Sequence, residues 1–232
     1  MGTEKNKFDY ISVAKRVLDI ESSAIADLKS DLGESFINAC EICFNCSGKI
    51  IVMGLGKSGH IADKIAATFA STGTPAFFIH PSEAIHGDLG MIDSEDVVLV
   101  LSNSGETEEI VSLIPVIKNM GIKIIALTGN EESKLSTEAD IHVHVLVKEE
   151  ACPMNLAPTA STSAALAMGD AIAVALLEKR GFTKEDFAKS HPGGSLGKQL
   201  LLSVQDIMHK GDEIPAVYET DKLASGLIEM SE

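Results

Sequence analysis

Two short loops carry most of the chemistry legible in this sequence. The first, Gly54-Leu55-Gly56-Lys57-Ser58-Gly59, follows an apolar run and fits G-x-G-x-x-G. A dinucleotide site is one reading, but it wants an acid about 20 residues on to hold a ribose, and Ile79 and His80 stand there. Gly56-Lys57-Ser58 also hints at a phosphate-binding P-loop, which needs glycine at position 51 and finds Ile51. A strand-to-helix turn without ligand is the bland reading; a phosphate or sugar contact with Lys57 as the cation is what remains. The second loop, Ser102-Asn103-Ser104-Gly105-Glu106-Thr107, precedes a helical pattern. Its three hydroxyls and backbone N–H groups converge on a helix N-terminus, whose partial charge is roughly +0.5. A capping box with Ser104 as N-cap and Thr107 at its third position explains one hydroxyl but not three. Two such loops after different strands favour a single phosphorylated small molecule over a dinucleotide.

Other chemistry-bearing residues are weaker signals. His80 and His86, with Glu83 and Asp88 nearby, make a poor zinc template because no compact third ligand is obvious. His142 and His144 alternate on a strand pattern and read as sheet-face residues; His60, after the glycine loop, is left open between helix cap and substrate neighbour. Cys40, Cys43 and Cys46 lack the fourth cysteine of a cluster motif, so spacing by three along one side of a helix reads as small apolar residues. Glu149 and Glu150 follow a strand, where acids usually face solvent, and His191 sits before Pro192-Gly193-Gly194 in a loop that excludes regular helix.

The elements that must position these residues are an α/β set. Helical spacing covers the first 47 residues in two runs: Phe8, Ile11, Ala14, Leu18, Ile25 and Leu28, then Phe36, Ile37, Cys40 and Phe44 after Gly33. Strands are predicted at Lys49–Met53, Ala76–Ile79, Val97–Leu101, Lys123–Leu127 and Ile141–Val147, with helices near 57–71, 105–120 and 132–138. Continuous apolar runs mean strands covered on both faces. The alternation predicts a five-stranded parallel doubly wound sheet flanked by helices, with its ligand beyond the strands' carboxyl ends. After the Pro-punctuated loop Cys152–Pro158 comes a small-residue helix, Thr159–Arg180, then a mixed segment 183–202 with two short helices around the Ser190–Gly194 turn. The expected division is N-terminal helices 1–47, a core domain 48–202 and a partial second unit 203–232.

Composition narrows the function. The 232 residues carry 19 Lys plus Arg against 34 Asp plus Glu, a net charge of −15. That field repels DNA, RNA and anionic lipid, and with no Trp and two Tyr there is no base-stacking surface. No nucleic acid partner and no membrane are expected: no apolar run approaches ~18 residues and no secretory signal opens the chain. With no disulfide framework, the expected compartment is the cytoplasm.

The loops Gly54–Gly59 and Ser102–Thr107, in this strand order, resemble a sugar isomerase (SIS) domain. Thr72-Gly73-Thr74-Pro75, the run His80–Gly90, Glu150-Ala151-Cys152-Pro153 and Ser190–Gly194 are similar, more narrowly, to the arabinose-5-phosphate isomerase family. The similarity runs from about residue 10 to 210. Val204–Met208, Gly211 and Pro215 resemble the start of the CBS pair with which the family continues, here cut short.

The resemblance implies an enzyme with no organic cofactor. It interconverts D-ribulose 5-phosphate and D-arabinose 5-phosphate and feeds synthesis of Kdo, the eight-carbon acid sugar of lipopolysaccharide. It implies that Ser58, Ser102, Ser104 and Thr107 hold the sugar phosphate, that Gly73 and Thr74 form a substrate-contacting turn and that His86 touches substrate. Lys57, Glu109, Glu150 and His191 match catalytically relevant positions, and His80 a site where an inhibitory zinc can bind. Aldose–ketose interconversion needs a base near the operating pH, a proton shuttle between O1 and O2, and positive charge for the oxyanion. Glu150 is the favoured base, His191 the shuttle or ring-opener and Lys57 the charge, though the first two roles could be exchanged. His191's distance along the chain would let it act across a subunit boundary, and a homotetramer is expected. The rival readings are a non-catalytic module that senses a sugar phosphate and a nucleotide-dependent enzyme.

Overall fold

The computed structural model describes residues 8–193, 203–211, 214 and 216–230. They divide into two compact units, one ending at Thr183 and one beginning at Lys184.

In the first unit, α1 (Tyr10–Asp31) and α2 (Glu34–Phe44) precede β1 (Ile50–Gly54), α3 (Lys57–Ser71), β2 (Ala76–Ile79) and α4 (Pro81–Ile85). A 3-10 turn (Asp88–Met91) leads into β3 (Val97–Leu101), α5 (Glu108–Asn119), β4 (Lys123–Thr128), α6 (Lys134–Glu138), β5 (Ile141–His144) and α7 (Ala160–Arg180). The strands form one parallel sheet in the order β2-β1-β3-β4-β5. Alternating side chains feed two cores: Ile50, Val52 and Leu99 pack with α2, α3 and α7, while Ile51, Met53, Val98 and Val100 pack with α4, α5 and α6. The expectation of strands covered on both faces holds for β1 and β3, which are wholly buried. The edge strands β2 and β5 are half-buried, because an edge has a neighbour on one side only.

Two features differ from the sequence reading. β5 ends at His144 rather than Val147, because its partner β4 ends at Thr128, whose carbonyl accepts one last bond from Val145 N–H (2.8 Å). Also, α7 is 21 residues and contains an 18-residue window with a mean hydropathy of 1.6, long and apolar enough by composition to cross a membrane, against the expectation that no such run exists. Its place is in the core: Ala164, Met168, Ile172, Ala173 and Leu176 are buried against the sheet and α3. Ile65 of α3 fills the space a side chain on Gly169 would need, its Cδ1 2.3 Å from a β-carbon placed there.

The order β2-β1-β3 reverses direction between β1 and β3. In an open parallel sheet the crevice above such a reversal is where ligands bind. Both chemistry-bearing loops leave the sheet there.

The second unit contains α8 (Lys184–Ser190), α9 (Val204–Ile207) and α10 (Leu223–Glu229). Gly194, the second short helix expected before residue 202, and Pro215 lie outside the described residues.

Candidate active site

The β1–α3 loop makes a tight corner. A β-carbon on Gly54 would lie 2.7 Å from the Ser58 carbonyl oxygen, and one on Gly59 2.7 Å from the Gly54 carbonyl oxygen. The outer glycines of the motif therefore let strand and helix touch, which sets Ser58 in the first turn of α3 above the sheet. The corner has a packing reason that needs no dinucleotide.

The β3–α5 loop is braced rather than helical, and here the capping-box expectation is corrected. Helix α5 starts at Glu108 with Thr107 as its N-cap, three residues later than predicted, because Gly105 turns the chain with φ +68°. Ser104 does not cap the helix; its hydroxyl accepts Glu106 N–H two residues on (3.3 Å). Ser102 is buried, its Oγ accepting Gly105 N–H (3.1 Å) and lying 3.1 Å from Thr107 Oγ1. Behind the loop, Glu106 Oε1 accepts Lys134 N–H (2.7 Å) and the Asn103 carbonyl accepts Gly129 N–H (3.1 Å).

Ser58, Ser102, Asn103, Thr128, Gly129, Ser161 and Thr162 line one cleft over the carboxyl ends of β1, β3 and β4. The cleft encloses about 20 Å³, the room of a single water or one phosphate oxygen, so the rest of a ligand must lie outward. Neither α3 nor α5 has a side-chain cap at its start. Their first N–H groups thus face the cleft end without an internal acceptor from a cap, as an anion requires.

At the start of α7 the anion position is filled from within. Glu150 Oε2 accepts Thr159 N–H (2.7 Å), Thr159 Oγ1–H (2.9 Å) and Ser161 N–H (3.3 Å). Burial pushes the Glu150 carboxyl up, but hydrogen bonds from Ser161 and Thr159 outweigh it and hold the group below its ordinary value. The sequence reading asked for a base near the operating pH; the structure gives a carboxylate held below its ordinary value by its donors. Ser161 links it directly to the cleft wall. Beside that wall, Thr128 Oγ1 lies 2.9 Å from His142 Nε2, and burial lowers the imidazole's pKa, keeping it neutral.

The SIS domain family model matches residues 43–175, more than half of the chain. Arabinose 5-phosphate isomerase KdsD of Shigella flexneri is 58% identical over 224 residues, covering 97% of this chain and 68% of that protein. The chain belongs to the arabinose 5-phosphate isomerase family. Its Pseudomonas aeruginosa relative of the same name is 54% identical over 223 residues, covering 96% of this chain and 68% of that one. Among solved structures, E. coli CFT073 c3406 in complex with arabinose 5-phosphate aligns at a TM-score of 0.78 with 44% identity, over 81% of this chain and 100% of the other. The doubly wound sheet is the SIS fold.

Against the roles that arabinose 5-phosphate isomerase resemblance suggested, the chain sorts into groups. Ser58, Ser102 and Thr107 meet at the cleft, with exposed Ser104 along the same loop. Lys57 is the exposed first residue of α3, and Glu109 lies half-buried in the first turn of α5. Gly73 and Thr74 lie elsewhere in the chain. They precede β2 at the amino edge of the sheet, where Pro75 accepts Ile50 N–H (2.9 Å) and Gly73 abuts the Phe182 ring. Thr74 Oγ1 is buried there without a hydrogen-bond partner among the described residues.

His80 caps α4, its Nδ1 accepting Ser82 N–H (3.3 Å), and exposed His86 closes the same helix. For zinc, the described residues bring no three His, Cys, Asp or Glu groups together. His80 offers one imidazole with one nitrogen already engaged, so no metal site is assembled among the described residues. In the second unit, Nδ1–H of His191 donates to the Phe187 carbonyl (3.0 Å) while its ring stacks on Phe187 at 4.0 Å. That tautomer leaves Nε2 as the proton acceptor.

Sequence reasoning missed Thr159, Ser161 and Thr162, reading their helix as packing alone. The run Thr159-Ala160-Ser161-Thr162-Ser163 was the available signal, since hydroxyls clustered at a helix start serve groups near its N-terminus.

Proposed function

We propose that this chain interconverts D-ribulose 5-phosphate and D-arabinose 5-phosphate through an enediol, supplying the aldose for Kdo and lipopolysaccharide synthesis. The observation that carries this is an ionised Glu150 anchored at the α7 N-terminus beside a serine-lined cleft at the sheet's reversal point. The phosphoryl group is held by Ser58, Ser102, Ser104 and Thr107 with the N–H groups that open α3 and α5. Glu150 takes a proton from C1 of the ketose and returns it to C2. The O1 proton passes to O2 through His191, whose Nε2 can accept and donate. Lys57 offsets the oxyanion charge and Glu109 acts at the phosphate end of the site. Gly73, Thr74 and His86 serve as substrate contacts in the assembled protein, and His80 as a ligand for an inhibitory zinc. No organic cofactor enters the proton transfers.

Incubating the protein with D-ribulose 5-phosphate in heavy water should yield arabinose 5-phosphate, with deuterium at C2 to the extent that the proton on Glu150 exchanges with solvent while the enediol lives. Binding without exchange or product would overturn the enzyme and leave a sensor.

The cytoplasm fits the free thiols Cys40, Cys43, Cys46 and Cys152. Residues 203–232 are assigned to the opening of a CBS unit and 1–47 to helices that serve assembly as a homotetramer. On α1, Ile11, Leu18 and Ile25 recur every seventh residue at 66%, 67% and 40% exposure, an apolar stripe of the kind subunit contacts cover. Leu18→Glu should lower the particle mass measured by light scattering; an unchanged mass would exclude this stripe from the interface.

A further inference from the structure

The loop joining β5 to α7 holds Glu150 at both ends. Asn155 Oδ1 accepts Glu150 N–H (2.7 Å), while Asn155 N–H donates to the Cys152 carbonyl (2.8 Å). Asn155 is the non-glycine residue with positive φ, +53°, among the described residues, a conformation that this double tie maintains.

At the carboxyl end, the direction of each bond is fixed. Thr159 Oγ1 accepts Ala151 N–H (2.9 Å), so its single proton points to Glu150 Oε2 (2.9 Å). Thr159 N–H and Ser161 N–H reach the same oxygen. Three donors therefore crowd an oxygen with two lone pairs. A proton on Oε2 would face those donors head-on.

We propose that Thr159, supported by Asn155, is a positioning residue for the isomerisation. It fixes the plane of the Glu150 carboxylate and leaves Oε1 as the oxygen that takes the C1 proton and returns it to C2. The proposal rests on Glu150 being the base. It also explains why the helix begins with a threonine whose hydroxyl does not cap its own backbone.

The test compares Thr159→Val, Thr159→Ser and Glu150→Gln for kcat, KM and the pH dependence of kcat. In Thr159→Val, kcat should fall by roughly 10- to 100-fold with KM within about twofold. Its acidic limb should move up by about one pH unit, because the carboxylate has lost a donor. Thr159→Ser should restore both. A folded Thr159→Val with the wild-type rate and limb, alongside an inactive Glu150→Gln, overturns the proposal while sparing the base. An active Glu150→Gln overturns the base itself and the proposal with it. Should Thr159→Val not fold, Asn155→Gly keeps the backbone conformation and deletes only the tie to Glu150 N–H. A several-fold drop in its kcat at constant KM supports the proposal, and an unchanged kcat overturns it.

Discussion

Glu150→Gln should lose about three orders of magnitude in turnover while its KM for ribulose 5-phosphate stays close to wild type. A positioned general base contributes roughly 10²- to 10⁴-fold, and the amide cannot take up a carbon-bound proton. The substitution keeps size and leaves an oxygen for the Thr159 donors, so the fold should survive. The phosphate grip proposed above lies on other elements, with Ser58 and Ser102 lining the cleft, which is why binding should persist. In the wild type, the Glu150 pKa is depressed. Its contribution to stability is therefore present above the unfolded carboxyl's pKa and is lost as pH falls through the lower folded value. The catalytic acid limb should likewise lie below the ordinary carboxylate range. Steady-state kinetics on both proteins checks the claim, and unchanged turnover in Glu150→Gln would remove Glu150 as the base.

Gly105→Ala should be the most damaging single methyl at the phosphate end. The added carbon would lie 2.1 Å from Ser133 Oγ, and φ +68° is left-handed backbone. Overpacking costs about 1–3 kcal/mol and the left-handed conformation about 1–2 kcal/mol. The sum, about 2–5 kcal/mol, should lower Tm by about 5–15 °C. Ser133 cannot retreat freely, because its hydroxyl caps α6 through Ser136 N–H (3.2 Å). The strain should instead move Ser102, whose Oγ holds Gly105 N–H, and raise KM about tenfold or more by loosening charge-assisted phosphate contacts. Calorimetry and initial-rate measurements read the two effects separately, and a variant with wild-type Tm and KM would refute the packing argument.

Much of this was legible from local signals. The strands were placed within a few residues, because runs such as Val97–Leu101 are buried on both faces and therefore continuously apolar. The two loops could be placed at a ligand crevice because strand order follows from β-α-β chaining. What escaped depended on contacts between separated residues. The start of α5 was misplaced because Gly105 is held in its turn by Ser102 and by Leu135 N–H on its carbonyl (3.1 Å), neither of which local spacing reveals. Cys46 was expected on the helix with Cys40 and Cys43, but α2 ends at Phe44, and the Cys46 thiol lies near the Lys49 and Glu95 carbonyls instead. Glu150 was the favoured base by resemblance, while its place after a strand left a solvent-facing acid as the bland reading; its ties to Thr159 and Ser161, which require the loop to fold back on the helix start, were not visible in local spacing.

The contact between Ile65 and Gly169 fastens α3 to α7 near their midpoints. One helix carries Ser58 in its first turn and the other starts at the residues that anchor Glu150. The two therefore act as the arms of a calliper whose pivot is buried and whose tips measure a substrate. On the proposed function, the gap between phosphoryl grip and proton acceptor is gauged by the hydrophobic interior, so a bulkier residue at position 169 should mis-set turnover from well outside the reacting atoms.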